Sequence, residues 1–202
     1  MPRIAGQIDR AKNEAILDAV SCLLTEHGLG ASVDQISRRA GVSKQTIYNH
    51  YGSKEELMRA LVARRGERLA APFDLADAET NPETALAAYA RAVLEALNCE
   101  AAVAILRLMV RRAADAPDQF GDEVMAAVGA ARERVAAFLE RETQAGLLAV
   151  DHYEEAAAFF LGMVVGNYRL MALIGLPLNL DAAGIEHRAA EAARRFVRAY
   201  AA

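Results

Sequence analysis

A short polar segment in the first quarter of the chain carries side chains suited to recognising another molecule. The eight residues KQTIYNHY (44–51) place amides, a hydroxyl, an imidazole and an ammonium around one isoleucine. On a helix, which advances about 100° per residue, Ile47 and Tyr51 share one face and predict the side that packs on the protein. The other side chains then face outward: Gln45, Thr46 and Asn49 opposite the core, Tyr48 and His50 on the flanks, and Lys44 beside Tyr48.

This outward set fits the chemistry of double-stranded DNA. An Asn or Gln amide pairs bidentately with adenine, and a Thr methyl group contacts the methyl group of thymine. Tyrosine, histidine and lysine side chains reach the phosphates on either side of a major groove. Lys54 lies in the first turn of the next predicted helix, where unpaired N–H groups also bind phosphate. We therefore predict seven DNA-contacting residues: Lys44, Gln45, Thr46, Tyr48, Asn49, His50 and Lys54.

The alternative interpretation is an ordinary surface helix whose polar side faces water. Such helices usually carry Glu and Lys pairs one turn apart, and this segment has none. No acidic residue occurs between Asp34 and Glu55, although the chain contains 27 Asp and Glu residues. The net charge of the whole chain is −4, yet residues 1–54 hold seven Lys and Arg against five Asp and Glu. This charge pattern favours a nucleic-acid partner for the N-terminal part.

Caps and turn residues indicate the elements that would position the polar helix. Apolar residues recurring on one face predict a first helix over about residues 9–27. Ser32 and Gln35 form a capping box that opens a short second helix. Gly41 can adopt positive φ, and Ser43 can cap the polar helix that follows. A supporting helix, a short helix, a glycine turn and a second short helix together predict a helix-turn-helix.

The rest of the chain is also predicted to be helical, because no alternating strand pattern of useful length occurs. A helix over about residues 54–70 is followed by five more. One of these is expected to be capped by Asp151 and Glu154 and to reach about Ile174. We therefore predict an all-α fold of about nine helices. Residues 1–53 would form a three-helix helix-turn-helix domain and residues 54–202 a larger helical domain, with the helix at 54–70 connecting the two.

The segment ASVDQISRRAGVSKQTIYNHYGSKEELMRAL (31–61) resembles the DNA-binding domain of TetR/AcrR-family transcriptional regulators. The shared features are the Gly-Val turn, the Thr-Ile-Tyr triplet, the aromatic residue at Tyr51 and the Ser-Lys-Glu-Glu-Leu start of the next helix. The resemblance implies that Thr46 and Tyr48 contact the DNA backbone, that Lys54 binds phosphate, that Lys44, Gln45 and Asn49 face the bases, and that His50 stands at a position often held by His. Val33 and Asp34 stand where some members present Thr and Arg to DNA.

The resemblance also implies a homodimer, joined by the last two helices in a four-helix bundle, and a small-molecule pocket among the preceding helices. The stretch ILRLMVRRAADAPDQF (105–120) is similar to the AefR-like subgroup. Residues 54–202 are thus expected to bind an effector and to dimerise. Candidate pocket residues are Tyr89, Arg107, Met109, Phe159, Met163 and Asn167. Aromatic and Met residues at helical spacing are more often core, and Arg107 is alternatively structural if it pairs with Glu100 or Asp115.

Other classes of protein find little support in the sequence. No Ser/His/Asp, paired-carboxylate or metal-ligand spacing occurs, so we predict no enzyme, no cofactor and no metal site. Cys22 and Cys99 stand apart and are expected to be buried as small apolar residues. The charged first twenty residues show no secretory signal, and Asn167 and Arg169 interrupt the apolar run at 159–178. We therefore expect a cytoplasmic protein without a membrane partner.

The favoured function is a sequence-specific transcriptional regulator, a repressor released from a palindromic DNA operator by a small, largely apolar ligand. The alternative is a DNA-binding protein without a small-molecule effector, which acts architecturally or under the control of a protein partner. A ligand cavity in the larger domain would distinguish the first hypothesis from the second.

Overall fold

The computed structural model describes residues 10–27, 31–75, 81–115 and 117–202. Within these ranges the chain forms ten α-helices, and Leu148 and Ala201 form an isolated antiparallel bridge. The predicted all-α fold is therefore confirmed. The chain divides into two compact units, residues 1–65 and 66–202, and the division lies inside the fourth helix. The sequence prediction placed the domain boundary at the first residue of that helix.

The first unit contains α1 (Arg10–His27), α2 (Val33–Ala40), α3 (Lys44–Tyr51) and the beginning of α4 (Lys54–Leu75). These bounds agree with the predicted helices, except that α4 extends five residues beyond its predicted end at about residue 70. The predicted start at Asp9 and the predicted stop signal at residues 28–30 lie outside the described residues. The core of this unit consists of buried aliphatic side chains from all four helices, among them Ile16, Ile36, Ile47, Leu57 and Leu61.

The second unit contains the rest of α4 and six further helices: α5 (Pro82–Asn98), α6 (Glu100–Asp115), α7 (Pro117–Gln144), α8 (Tyr153–Val165), α9 (Tyr168–Ile174) and α10 (Ala182–Ala199). Helix α10 packs against α5 and α8, and α7 packs against α6 and α8. Aromatic rings join these helices, since Phe73 stacks on Tyr89 at 4.6 Å and on Phe138 at 4.5 Å between ring centroids. Phe160 meets Phe196 edge-on at 5.2 Å.

The prediction of a single helix from the cap at Asp151 and Glu154 to about Ile174 is wrong. Helix α8 ends at Val165. Gly166 follows with φ 47° and ψ −130°, a backbone conformation that glycine adopts readily and other residues rarely adopt. Arg188 from α10 stabilises this end of α8, because its Nε and Nη2 donate to the carbonyls of Val164 and Met163 at 2.8 and 2.9 Å. The predicted cap also differs, since the N-cap position of α8 is occupied by His152, without a side-chain capping bond.

The sequence analysis also made predictions about the two cysteines and about the apolar run at residues 159–178. Both cysteines are exposed, so the prediction that they are buried is wrong. Among the described residues, no single helix has the length and apolar content of a membrane span. Helices α8 and α9 reach that length and content only when taken together, and they meet at a bend of 57°.

Candidate nucleic-acid interface

Local hydrogen bonds fix the turn between α2 and α3. The Ser32 hydroxyl accepts from the N–H of Gln35 at 3.2 Å, while Gln35 Oε1 accepts from the N–H of Ser32 at 2.8 Å, which completes the predicted capping box. Gly41 adopts φ 66° at the end of α2. The Ser43 hydroxyl then accepts from the N–H of Thr46 at 3.0 Å and caps α3. Each of these serine caps typically contributes about 1 kcal/mol.

Two residues hold α3 on the rest of the first unit. Ile47 is only 1% exposed and enters the aliphatic core. The Tyr51 hydroxyl donates to Oδ1 of Asn13 on α1. Burial raises the pKa of Tyr51, an effect partly opposed by the positive charge of Arg64, so the phenol stays protonated and keeps its donor role. The predicted inner face of α3 is thus the observed one.

The opposite side of α3 is open to solvent. Tyr48 is 45% exposed, and its ring stands on the outer flank of the helix. Thr46 is half-buried, and its hydroxyl lies 2.8 Å from that of Ser43. Lys54 is the first residue of α4, which is capped by the Ser53 hydroxyl accepting from the N–H of Glu56 at 3.1 Å. The other predicted DNA-contacting residues are all exposed on α3: Lys44, Gln45, Asn49 and His50.

Two contacts on this face were not predicted from the sequence. Gln45 Nε2 donates to Asn49 Oδ1 at 2.6 Å, so the two amides form one hydrogen-bonded pair. Their separation of four residues is the signal that would have found this contact. Lys44 Nζ lies 2.6 Å from Oδ1 of Asp34 on α2, and both side chains are 52% exposed. Asp34, the last acidic residue before Glu55 in the sequence, therefore neutralises one of the lysines of this face.

A buried arginine ties α4 to α1 in the same unit. Arg64 is 8% exposed. Its Nη1 lies 3.0 Å from Oε2 of Glu14 and 2.8 Å from Oδ1 of Asp18, both on α1. Because α3 also rests on α1 through Tyr51 and Asn13, this ion-pair cluster helps to fix the platform that carries α3. The sequence offered no signal for it, since fifty residues separate Glu14 from Arg64.

The candidate pocket residues whose side chains the structure describes differ in burial and in contacts. Tyr89 is 2% exposed and lies in the core of the second unit, whereas Phe159 is 55% exposed on α8. Met163 and Asn167 are also exposed, and the side chain of Met109 lies outside the described residues. Arg107 donates to the carbonyls of Ala172 and Leu173 at 2.6 and 3.0 Å. It therefore satisfies the end of α9 and takes a structural role, though with other partners than those considered from the sequence.

A cleft of about 240 Å³ opens between α4 and α7 in the second unit. Its lining is half apolar and half charged, and consists of Glu67, Ala70, Phe73, Asp74, Arg134, Ala137, Phe138 and Arg141. Arg141 is already engaged, because it donates to the carbonyl of Phe73 at 3.2 Å and to Glu142 Oε1 at 3.0 Å. Among the candidate pocket residues whose side chains the structure describes, none borders this cleft.

Comparison with known proteins places this geometry in a family. The family model described as "Bacterial regulatory proteins, tetR family" matches residues 16–61, which include α2 and α3. The model described as "AefR-like transcriptional repressor, C-terminal domain" matches residues 84–202, more than half of the chain. The chain belongs to the TetR family. This family consists of transcriptional regulators rather than enzymes.

Individual relatives of this TetR-family protein agree with the assignment. The HTH-type transcriptional repressor KstR2 of Mycobacterium tuberculosis is 32% identical over 99 residues, 48% of this chain and 49% of that protein. The match thus spans about half the length of that curated relative. A TetR-family regulator from Mesorhizobium loti shares the fold with a TM-score of 0.76 and 24% identity, over 96% of this chain and 100% of the other. The flavonoid-responsive regulator FrrA has a TM-score of 0.62 and 29% identity, over 94% and 97% of the two chains.

Proposed function

We propose that this protein is a sequence-specific transcriptional repressor that acts in the cytoplasm as a homodimer on a palindromic operator. The observation that carries the proposal is the exposed outer side of α3, on which Gln45, Tyr48 and Asn49 stand while Ile47 and Tyr51 anchor the inner side. The similarity to the repressor KstR2 supports repression rather than activation of transcription.

In this function α3 enters the major groove. The hydrogen-bonded amides of Gln45 and Asn49 present donors and acceptors to base edges as one unit. Tyr48, Thr46 and Lys54 contact phosphates and fix the register of the helix without reading sequence. The Ser43 cap and the Asn13–Tyr51 hydrogen bond already hold α3 in place in the absence of DNA. Binding therefore costs little conformational entropy for ordering this helix.

The proposed dimer is formed by a second copy of the chain at the apolar side of α8 and α9. Phe159, Met163, Leu170 and Ile174 are exposed there, and an apolar surface of this kind is stabilised by a partner that covers it. Two-fold symmetry would place the two copies of α3 about 34–36 Å apart, one turn of B-DNA. The operator would then be palindromic.

A small, largely apolar ligand is proposed to release the operator. FrrA is described as flavonoid-responsive, and its 29% identity supports an aromatic effector class for this chain. Coupling free energies of about 1–3 kcal/mol correspond to a 5- to 150-fold loss of operator affinity. Operator binding that no ligand weakens would favour the alternative, a DNA-binding protein without a small-molecule effector.

The DNA-binding role is tested with an operator selected from a pool of random duplexes by the full chain. Gln45→Ala and Asn49→Ala should each weaken binding by roughly 1–3 kcal/mol, mainly at particular base pairs, and Tyr48→Phe should weaken binding to all sequences. Gln144→Ala is the matched control, because Gln144 is an exposed amide that also bonds a side chain one turn away, Glu140, at 3.4 Å. Equal wild-type affinity for selected and scrambled duplexes at the same salt concentration would refute the proposal.

The dimer is tested by sedimentation of the full chain and of Met163→Glu. The glutamate would be buried without a partner in the proposed interface, so the variant should sediment as a monomer. Leu147→Glu changes a comparably exposed apolar residue outside α8 and α9, and it should remain a dimer. A monomeric wild type at micromolar concentration would contradict this part of the proposal.

A further inference from the structure

The two amides on the outward side of α3 are joined by a hydrogen bond. Gln45 Nε2 donates to Oδ1 of Asn49 at 2.6 Å, and both side chains are exposed. The residues stand four positions apart, which places Asn49 one helical turn beyond Gln45 on the same face. A side-chain amide carries one acceptor oxygen and two N–H donors. The bond therefore uses one donor of Gln45 and engages the oxygen of Asn49.

The position of Gln45 in α3 favours this direction of the bond. Gln45 is the second residue of the helix, after Lys44. The unpaired backbone N–H groups of the first turn give this end of a helix a partial positive charge. That charge stabilises the oxygen of an amide and disfavours its NH2 group. The Gln45 amide therefore favours directing its NH2 group away from this end, towards Asn49, which is the observed arrangement.

The bond leaves Asn49 better suited to guanine than to adenine. Adenine presents an acceptor, N7, and a donor, its N6 amino group, so a bidentate pair with asparagine requires the asparagine oxygen. Oδ1 of Asn49 already accepts from Gln45. A second N–H directed at this oxygen would lie close to the first, and the two positive hydrogens would repel each other. Guanine presents two acceptors, N7 and O6, which match the two N–H groups of Asn49 Nδ2 that this bond does not use.

Lys44 is a second residue of α3 whose side chain suits guanine, because an ammonium group also donates to N7 and O6. Its Nζ, however, lies 2.6 Å from Oδ1 of Asp34. Lys44 must therefore leave this ion pair before it donates to a base, whereas Asn49 needs no such exchange. These contacts favour Asn49 as the residue that reads guanine.

We propose that Gln45 determines which base Asn49 reads: with its oxygen engaged by Gln45, Asn49 donates to N7 and O6 of a guanine in each half-site of the operator. Gln45 is a positioning residue at this base, since it acts through Asn49. The inference rests on the proposed function, because it requires α3 to lie in the major groove. It adds to that function the base that Asn49 recognises and the residue that sets the choice.

The test measures the affinity of the full chain for the selected operator and for duplexes with single base pairs replaced in one half-site. Asn49→Ala identifies the base pair that Asn49 reads, as the position at which this variant loses the wild-type preference. The wild type should prefer guanine to adenine there by roughly 5- to 150-fold, the discrimination of a bidentate pair. A wild-type preference for adenine at this position, or no position at which Asn49→Ala loses a preference, would overturn the inference.

Substitutions of Gln45 give the decisive comparison. Gln45→Ala removes the donor and frees Oδ1 of Asn49, so the ratio of guanine to adenine affinity at the same base pair should fall by about tenfold or more. Gln45→Glu should also lower the ratio, because a carboxylate only accepts and would bond Nδ2 of Asn49 instead. Gln45→Lys keeps a donor that reaches Oδ1 and should retain the preference for guanine. An unchanged ratio in Gln45→Ala, or a ratio in Gln45→Lys as low as in Gln45→Ala, would overturn the inference.

The ratio compares two duplexes with one protein, so it does not depend on the fraction of each variant that is folded. Gln144→Ala is the matched control and should leave the ratio unchanged, since Gln144 is an exposed amide of the second unit that bonds Glu140 one turn away at 3.4 Å. A wild type that binds the selected operator no better than a scrambled duplex would refute the proposed function and this inference with it. Specific binding with a ratio that does not depend on residue 45 would refute this inference alone.

Discussion

Neutralising Asp34 should strengthen DNA binding by this protein. Asp34 holds Lys44 at 2.6 Å on the exposed side of the helix-turn-helix, so the lysine must exchange a carboxylate for DNA when the complex forms. Both side chains are half exposed, and an ion pair in such a setting is worth about 0.2–1 kcal/mol. Asp34→Asn should therefore raise affinity for any duplex by roughly 1.4- to 5-fold, before the lost repulsion between Asp34 and the phosphates is added.

The salt dependence gives the sharper measurement. Asp34→Asn leaves one more net positive charge facing the phosphates, and each phosphate charge neutralised steepens the slope of log K against log salt by about 0.9. Between 50 and 200 mM salt, a fourfold change, the advantage of Asp34→Asn over the wild type should shrink by about 3.5-fold. Fluorescence anisotropy with a labelled duplex over this range measures both slopes. A selected operator and a scrambled duplex should show the same difference, because the gain comes from the backbone.

The control must remove one negative charge elsewhere. Glu186→Gln does so in the second unit, where Glu186 forms an exposed ion pair with Arg91 at 3.4 Å. Asp34 also lies in the first turn of α2, where a carboxylate favours the helix, so circular dichroism must show that Asp34→Asn keeps its helical content. Parallel salt slopes for Asp34→Asn and the wild type, or an equal gain for Glu186→Gln, would refute the reasoning.

Three further predictions concern stability. Arg64→Ala should lower the free energy of unfolding by about 1–3 kcal/mol in urea titrations, because Glu14 and Asp18 lose their shared partner; an unchanged midpoint would contradict this. Gly166→Ala should cost about 1–3 kcal/mol and lower the melting temperature, since its φ of 47° strains any side chain; an unchanged melting temperature would count against the observed break. Hydrogen bonds from Arg194 and Arg195 lower the pKa of Glu191 from 4.5 to about 2. The contribution of Glu191 to the free energy of unfolding is therefore complete above pH 4.5 and is lost as the pH falls towards 2. A difference in stability between the wild type and Glu191→Gln that did not shrink over this interval would exclude that contribution.

The sequence alone determined the helix-turn-helix and the face of α3 that points outward. Capping serines, their partners three residues later and glycines at helix ends act over one turn of chain, so Ser32, Gln35, Gly41 and Ser43 specify the local structure without help from distant residues. The outward residues of α3 could also be predicted from local sequence, because Ile47 is the single aliphatic residue of this helix and therefore marks its inward face. The seven DNA contacts and the domain boundary stay predictions.

Only the tertiary structure decided which side chains of the second unit are interior. Phe159 and Phe160 are adjacent and equally apolar, yet Phe160 is fully buried and Phe159 exposed, because packing against α5 and α10 selects one face of α8. The break at Gly166 likewise depends on Arg188, which is supplied from α10. The buried Nε of Arg169, which has no hydrogen-bond partner among the described residues, has no sequence signature either. Whether an arginine finds hydrogen-bond acceptors depends on residues far away in the sequence, because only folding brings those residues to it.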